Sequence, residues 1–316
     1  MAEAGGRGLL DLMIARIPGI RSGDRMVLCG KFDDEGDFTR LSVREVDRIC
    51  AEGRGEAAYG RLFNDEAERW SMKSIMEQAE KDAAFMGRHG ISWVSAAMSA
   101  YPQLLREIYD PPAVLFYRGT LPPPEKLAVA VVGTRKPRPA ALRWTYDTAR
   151  DLALAGVTVV SGLALGIDAM AHRGCVDAIS GGYGGVDEVK AAPTLAVLGS
   201  SVDEVYPATN RALARRIVAD GGALLSEYPP GTRPAKWNFP ARNRIISGLC
   251  RCTVVVEAGK KSGALITAGF ALEHGRDLYV AQGGGDVFGE GCERLNTEGA
   301  ARVRGAEDIL AELGGL

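Results

Sequence analysis

Positively charged side chains are concentrated in two stretches of the sequence that contain no carboxylate. Residues 133–146 include four arginines and lysines, and residues 228–256 include five. The chain as a whole carries a net charge of −2, which excludes a protein that is basic over its entire surface. The two stretches therefore predict a local site for an anionic partner.

Glycine, serine and threonine residues occur where apolar runs end and helical patterns begin, close to these cations or at the same edge of the predicted sheet. Small residues at such places leave backbone N–H groups open to an anion at a helix N-terminus. The candidates of this kind are Gly133, Thr134, Ser161, Gly162, Ser262 and Gly263.

Aromatic residues interleave with the cations of the second stretch, because Trp237 and Phe239 lie between Lys236 and Arg242. Cations that contact phosphates, together with rings that stack on bases, are typical of single-stranded nucleic-acid sites. Packing in the core is the favoured interpretation for Trp237. Stacking and core packing both stay open for Phe239, whose backbone is restricted by the following Pro240.

Other anion-binding motifs and metal sites are poorly supported. The string GTRKPR from residue 133 does not match the dinucleotide motif G-x-G-x-x-G, and GKKS from residue 259 lacks P-loop spacing. The six cysteines are scattered without a C-x-x-C pair, and the chain has three histidines. We therefore expect reduced thiols, no metal and no cofactor.

The elements that position these residues follow from the apolar pattern. From residue 128 to residue 281, strand-like apolar runs alternate with helical patterns. Continuous apolar strands indicate a mostly parallel sheet buried on both faces, and the alternation predicts a Rossmann-like, doubly wound α/β fold. Ligands of such sheets bind beyond the carboxyl ends of the strands. Both cation-rich stretches fall at that edge.

We predict three parts of the chain. Residues 1–88 form a small helical domain, residues 89–127 a Pro-rich extended linker, and residues 128–316 the Rossmann-like domain. Within the linker, Val114–Tyr117 is expected to add a short strand. The glycine-rich stretch at 180–190 is predicted to be a surface insertion.

The helical part carries two local signals and one weak motif. A capping box starts at Ser42, with Glu45 three residues later, and an amphipathic helix is predicted over Asn64–Met86. The string IPGI at 17–20 is weakly similar to a phosphate-binding helix-hairpin-helix turn, but plain helix packing is favoured. Since no secretory signal and no apolar run of membrane-spanning length occur, we expect a cytoplasmic protein without a membrane partner.

Several strings in the α/β part have a specific order and spacing. They include FPARNRIISGL from Phe239 and SGALITA from Ser262, which are highly specific in combination. GTRK from Gly133, SGLALGID from Ser161 and SEYPPG from Ser226 precede them. In this arrangement the chain resembles the DprA/Smf family of DNA-processing proteins, from about residue 101 to the C-terminus.

The resemblance implies a non-enzymatic protein of natural transformation that binds incoming single-stranded DNA, protects it and helps to load the RecA recombinase. It also implies a homodimer. Arg135, Lys236 and Phe239 correspond to residues that line the family's DNA pocket, and Arg242 and Arg244 lie in the same F-P-x-R-N-R motif. The predicted DNA-binding residues are Gly133, Thr134, Arg135, Lys136, Ser161, Gly162, Lys236, Phe239, Arg242, Asn243, Arg244, Lys260, Ser262 and Gly263.

The sequence departs from the family pattern at three points. Leu165 replaces the usual Arg, which removes one expected cation. The string AQG at 281–283 replaces the usual V-P-G after the last strand. No winged-helix domain is expected before Leu316, which removes a possible contact with duplex DNA.

The homodimer is expected to form through the C-terminal segment, because apolar residues are frequent there. If they extend an exposed apolar face, a second copy of the chain covers them. These residues are Leu295, Val303, Ile309, Leu310 and Leu313.

An enzyme similar to the nucleotide phosphoribohydrolases is the alternative. The motif P-G-G-x-G-T-x-x-E of those enzymes is absent, because the corresponding string from Glu257 reads EAGKKSG. Glu257 is instead expected to pair with Arg242 or Arg244. Asp168 is expected to accept hydrogen bonds from backbone N–H groups. His172 is expected to be structural.

Overall fold

The computed structural model describes residues 7–53, 71–181 and 191–314. The N-terminal helices are α1 (Leu10–Arg16), α2 (Ser22–Lys31), α3 (Glu35–Thr39), α4 (Val43–Gly53) and α5 (Met72–His89).

Two predictions fall on these helices. The capping box is confirmed, because the Ser42 backbone N–H donates to Glu45 Oε2 at 2.7 Å and the Glu45 N–H donates to Ser42 Oγ at 3.3 Å. The helix predicted over Asn64–Met86 is present as α5 from Met72 onward. Residues 64–70, and most of the insertion predicted at 180–190, lie outside the described residues.

The rest of the chain is built around one ten-stranded sheet. Its strands are β1 (Ile91–Ser95), β2 (Val114–Gly119), β3 (Ala128–Val132), β4 (Thr158–Ser161), β5 (Leu195–Val197), β6 (Ala223–Ser226), β7 (Cys252–Val255), β8 (Asp277–Gly283), β9 (Asp286–Val287) and β10 (Ala301–Val303). The accompanying helices are α6 (Gln103–Arg106), α7 (Pro139–Leu154), α8 (Ile167–Ser180), α9 (Arg211–Ala219), α10 (Asn238–Gly248), α11 (Gly263–Glu273), α12 (Glu290–Thr297) and α13 (Ala306–Glu312).

The strand order is β1-β2-β6-β5-β4-β3-β7-β8-β10, with β9 paired to β8. The strands from β6 to β10 along this order run parallel, whereas β1 and β2 pair antiparallel at one side. From β3 the chain first builds the sheet toward β6 and then, from β7, in the opposite direction. The predicted doubly wound α/β fold is confirmed, and its topological switch point lies between β3 and β7.

The parallel strands form because their residues suit burial on both faces. The strand β3 reads AVAVV, and every residue of β3, β4 and β7 is buried. Apolar side chains dominate these strands, and their hydroxyl groups are limited to the buried Thr158, Ser161 and Thr253. Helix α7 begins with Pro139, which is favoured in the first turn of a helix.

The sequence predicted an extended linker over residues 89–127, but this segment also forms regular secondary structure. It contributes β1, α6 and β2, and β2 pairs with β6 from Phe116↔Ser226 to Gly119↔Ala223. The short strand expected at Val114–Tyr117 is confirmed as β2. Prolines lie in the turns between these elements, so they do not interrupt the ladder.

The N-terminal helices share a hydrophobic cluster with the sheet. Leu10, Ile14 and Phe38 belong to the same buried cluster as Phe116 of β2 and Leu224 of β6. The N-terminal helices therefore pack directly on the α/β part. The division into three domains remains a prediction.

The C-terminal apolar residues do not form an exposed face. Leu295, Val303 and Ile309 are buried, and Leu310 and Leu313 pack against the cluster that contains Val303 and Ile309. The expectation that these residues form an exposed apolar face was wrong, because α12, β10 and α13 bury them in the chain's own core.

Candidate functional site

A cavity of about 700 Å³ opens at the switch point between β3 and β7. Its walls come from the loops after β3, β4, β5 and β6 and from the first turns of α10 and α11. Among the described residues, four cations and one carboxylate line it. Ten of the fourteen predicted residues lie here: Gly133, Thr134, Arg135, Lys136, Lys236, Phe239, Arg242, Asn243, Ser262 and Gly263. The structure thus brings cations from both stretches to one place.

Phe239 lies at the centre of the aromatic contacts of this cavity. Its ring centroid is 5.5 Å from that of Tyr206 and 6.0 Å from the guanidinium carbon of Arg135. The ring also packs on Gly199, where an added Cβ would lie 2.8 Å from Phe239 Cδ1. Phe239 is half-buried, so it is both a packing residue and part of the cavity wall.

Three cations of the cavity are exposed: Arg135, Lys136 and Lys236. No salt bridge to any of them occurs in the described part of the chain. Their charge is therefore open to an anionic ligand, and it acts within a concave wall that concentrates the potential.

Arg242 also lines this cavity, but its burial favours a supporting role over the predicted direct contact with DNA. It is 4% exposed, and its guanidinium donates to the carbonyl oxygens of Gly162, at 3.0 Å, and Val197. Burial lowers the pKa of Arg242 to about 10, against the opposing charge of Asp168. Arg242 thus ties the loops after β4 and β5 together and adds charge beneath the cavity floor.

The loop after β4 is held in a strained conformation by two polar side chains. Leu163 has a φ of 54°, which is unusual for a branched residue. Asp168 accepts hydrogen bonds from the N–H groups of Gly162 (3.2 Å) and Ala164 (3.4 Å), which confirms its predicted role. Asn210 donates to the Leu163 carbonyl at 2.8 Å. These bonds fix one wall of the cavity before any ligand binds.

Burial is the main cause of the pKa shifts of Asp168 and His172, which lie beneath this wall. It raises the pKa of Asp168, an effect that Arg242 opposes. Burial and the charge of Arg242 lower the pKa of His172 to about 3. His172 Nδ1 lies 2.8 Å from the Thr194 hydroxyl, which itself donates to the Val159 carbonyl. His172 is therefore a neutral packing residue, as predicted.

Ser161 and Gly162 are buried and are not among the residues that line the cavity, which argues against their predicted contact with DNA. Ser161 Oγ donates to the Val131 carbonyl at 2.6 Å, and the Gly162 N–H is bonded to Asp168. The sequence places these residues at the carboxyl end of a strand, but only the structure shows that their polar groups are already hydrogen-bonded.

Arg244 lies outside the cavity, although it is two residues from Arg242. Its guanidinium donates to both carboxylate oxygens of Glu227, at 2.8 and 2.7 Å, and to Asp110 Oδ2 at 3.1 Å. At 7% exposure it cannot contact a strand of DNA. Successive residues of a helix point about 100° apart, which sends Arg244 and Arg242 to different sides of α10.

Glu257 does not pair with Arg242 or Arg244. Its carboxylate accepts from the Arg138 backbone N–H at 2.9 Å and from Arg138 Nε at 3.1 Å. Lys260, another predicted contact, pairs with Glu290 at 3.5 Å and does not line the cavity.

The first turn of α11 closes the cavity opposite Phe239. Ser262 caps the helix by accepting from the Ala264 N–H at 3.3 Å, and Asn243 Nδ2 donates to the Gly263 carbonyl at 3.3 Å. Asn243 therefore joins α10 to α11 across the cavity.

Sequence reasoning did not name two side chains of this site, and it favoured the wrong environment for a third that adjoins it. Tyr206 and Ile266 line the cavity, and Trp237, for which core packing was favoured, is 77% exposed. The signal for Tyr206 was present, since it precedes Pro207 in a loop after β5. Only the structure shows that its ring contacts Phe239.

Within 7–53, 71–181 and 191–314, no group of three or more His, Cys, Asp or Glu side chains could hold a metal ion. No helix in these ranges combines the length and apolar character needed to cross a bilayer.

Fold and site together define a Rossmann-like α/β protein with a cationic, aromatic crevice at its switch point. Residues 92–314 match the family model described as DNA recombination-mediator protein A. The chain belongs to this family, whose curated relatives carry the names DprA and Smf.

The relatives cover much of the chain. It is 36% identical over 258 residues to the DNA processing protein DprA of Bacillus subtilis, covering 80% of this chain and 82% of that protein. It is 44% identical over 221 residues to Protein Smf of Synechocystis, covering 68% of this chain and 52% of the relative. The chain thus matches about half the length of the latter.

Two solved structures share the fold. The X-ray structure of DprA from Streptococcus pneumoniae superposes with a TM-score of 0.70 at 31% identity, covering 96% of this chain and 95% of that one. DNA processing protein A of Helicobacter pylori, studied for its single-stranded DNA binding mode, gives a TM-score of 0.57 at 28% identity, covering 71% and 95%.

Proposed function

We propose that this protein binds single-stranded DNA in the crevice between β3 and β7, without strong sequence preference and more tightly than duplex DNA. One observation carries the proposal: the exposed cations Arg135, Lys136 and Lys236 lie in one cavity with the ring of Phe239. Cations track phosphates and aromatic rings accept base faces. The described binding mode of the Helicobacter relative supports this choice of ligand.

A single strand fits these features better than a duplex does. The faces of duplex bases are covered by their stacked neighbours, so a ring in a cavity wall cannot reach them. A dinucleotide is less suitable, because the loop after β3 presents Arg135 and Arg138 where the dinucleotide motif requires further glycines.

A titration of a labelled oligo(dT) at several salt concentrations tests the proposal. The logarithm of the binding constant should fall linearly with the logarithm of salt concentration, by about 0.7 for each phosphate contact. Equal affinity at low and physiological ionic strength would contradict an electrostatic crevice. A matched duplex of the same length should bind more weakly.

The proposed cellular role is DNA uptake in natural transformation, in which the protein protects incoming single strands and loads the RecA recombinase. Family membership and the crevice support this role. Protection predicts that saturating protein slows digestion of oligo(dT) by a single-strand nuclease. Loading predicts faster assembly of RecA on DNA coated with single-strand-binding protein. An unchanged assembly rate would remove the recombinase from the proposal.

We also propose a homodimer, since two crevices on one strand raise the effective concentration of the second site. The buried C-terminal residues do not supply its surface. Leu272 on α11 is 60% exposed and offers an apolar starting point. Sedimentation equilibrium of the wild type and of Leu272→Arg tests this, and a monomer alone at tens of micromolar (about the upper end of specific affinities) would refute the dimer.

The proposal assigns no catalytic step to the crevice. Glu257, the nearest counterpart of a phosphoribohydrolase carboxylate, is bonded twice to Arg138. Release of free base from nucleoside monophosphates would favour the enzyme alternative. All six cysteines lie in the described part of the chain, where they are buried and form no disulfide, which suits the reducing cytoplasm in which we place the protein.

A further inference from the structure

Exposed apolar side chains are unevenly distributed over the protein. Of six large hydrophobic residues that are strongly exposed in the described part of the chain, Tyr206 and Ile266 line the crevice, and Leu165 and Trp237 directly follow its lining residues Ala164 and Lys236. Each comes from the segment that follows a different strand. Scattered exposed apolar residues need no explanation, but a cluster marks a binding surface.

We infer that Trp237 is a second base-stacking residue, so that a bound strand places one base on Phe239 and a neighbouring base on Trp237. This inference rests on the proposed function, because it names a further contact of the same ligand. The inference goes beyond the proposed function because it predicts that the protein contacts at least two neighbouring nucleotides whose bases are unstacked.

The environment of Trp237 distinguishes it from the other described tryptophans. Trp93 Nε1 donates to Asp11 Oδ2 at 3.4 Å, and Trp144 Nε1 donates to the Arg304 carbonyl at 2.7 Å. Trp237 has neither a ring contact nor a side-chain hydrogen bond among the described residues, and it is 77% exposed. Its indole is therefore available to a ligand on most of its surface.

The position of Trp237 suits a neighbouring nucleotide. It immediately precedes α10 and is two residues from Phe239, a separation that spans at most about 7 Å along the backbone. Phe239 is already packed on Gly199 and Tyr206, so it cannot fold over Trp237 without losing those contacts. The two rings thus offer separate stacking surfaces to one short segment of DNA.

Charge complementarity favours nucleic acid over an apolar protein partner. Lys236 is adjacent to Trp237 and exposed, and Arg135 lies across the cavity. An apolar partner covering Trp237 would desolvate these cations without pairing them, which is costly. A strand of DNA supplies a phosphate for each cation and a base for each ring.

The test compares Trp237→Ala, Trp237→Phe and the control Tyr109→Ala, a fully exposed aromatic outside this cavity. Affinity for oligo(dT) is measured with intact strands and with strands that contain abasic sites. We expect Trp237→Ala to weaken binding by about fivefold or more, the lower end for one stacked base, without a change in salt slope. Trp237→Phe should retain most of the affinity, and Tyr109→Ala should bind as wild type.

Strands with abasic sites show whether Trp237→Ala weakens binding through the loss of a stacked base or through a change elsewhere in the protein. Removing bases should weaken binding to the wild type more than to Trp237→Ala, because the variant has already lost one stacking partner. Binding of DNA should also quench tryptophan fluorescence in the wild type, with a smaller change in Trp237→Phe. Full affinity of Trp237→Ala, or equal losses in Trp237→Ala and Tyr109→Ala, would overturn the inference while the crevice still binds DNA. Absence of DNA binding by the wild type would instead refute the proposed function, and the inference with it.

Discussion

The guanidinium carbon of Arg135 lies 6.0 Å from the centroid of the Phe239 ring. Arg135 belongs to the loop after β3 and Phe239 to the first turn of α10, which follows β6. The contact is at the outer range of cation–π geometry, so the positive charge remains available for a phosphate. One point of the crevice therefore presents a cation and a ring with distinct tasks, and mutations can separate them.

Loss of an exposed crevice cation should weaken binding for all sequences alike. We expect Arg135→Ala and Lys236→Ala each to lower the salt slope by about 0.7, because each removes one phosphate contact. Arg251→Ala is the matched control, since Arg251 is exposed and immediately precedes β7, at the opposite edge of the sheet. Anisotropy titrations at several salt concentrations measure both quantities, and wild-type binding by both crevice variants would place the DNA elsewhere.

Phe239→Ala should lower affinity while leaving the salt slope unchanged, since stacking releases no counterions. The expected loss is about 1–3 kcal/mol. The half-buried ring also packs on Gly199, so some loss of melting temperature is expected as well. Phe239→Leu fills much of that space and serves as a control for packing. A large melting loss with full affinity in the folded fraction would reject stacking.

Adding the missing cation should strengthen binding. Leu165 is 46% exposed and adjoins Ala164, which lines the crevice. We expect Leu165→Arg to raise affinity at low salt and to steepen the salt slope by about 0.7, the contribution of one additional contact. Leu165→Gln controls for the loss of the apolar side chain. An unchanged slope in Leu165→Arg would show that this position does not face the strand.

Replacing the buried Arg242 should lower the free energy of unfolding more than replacing an exposed cation of the crevice does. Replacing it with Met leaves the carbonyls of Gly162 and Val197 without their donor and Asp168 without its nearby cation. Breaking a buried charged network in this way costs about 3–5 kcal/mol. Lys236→Met should change the unfolding free energy by less than about 0.5 kcal/mol, as exposed substitutions do. Urea denaturation of both variants decides between a supporting and a contacting role for Arg242.

His172 should make the folded state less stable in acid. Its pKa is lowered to about 3 by burial, so the unfolded chain binds a proton first as the pH falls below about 6.5. Stability attributable to His172 is therefore full above about pH 6.5 and declines toward pH 3, by at most about 1.4 kcal/mol per pH unit. Unfolding free energies between pH 7 and 5 should fall less steeply in His172→Gln than in the wild type. His89→Gln, on the exposed end of α5, is the control, and equal slopes in both variants would contradict the assignment.

The sequence by itself determined the parallel core of the sheet and most of the crevice. Continuous apolar runs such as AVAVV can be satisfied only by burial on both faces, and their alternation with helices dictates parallel strands. The cation-rich loops after β3 and β6 then had to meet at one edge. Local pattern also determined the capping box at Ser42 and the backbone bonds to Asp168, because both depend on neighbours within a few residues.

The tertiary structure alone decided which polar side chains remain free for a ligand. Arg242 and Arg244 read alike in the sequence, yet one is bonded beneath the crevice and the other is held by Glu227 and Asp110 on another side of α10. Trp237 was expected in the core and is exposed. Hydrogen-bond partners and burial arise from segments far apart in the chain, so residue type and local spacing do not contain them.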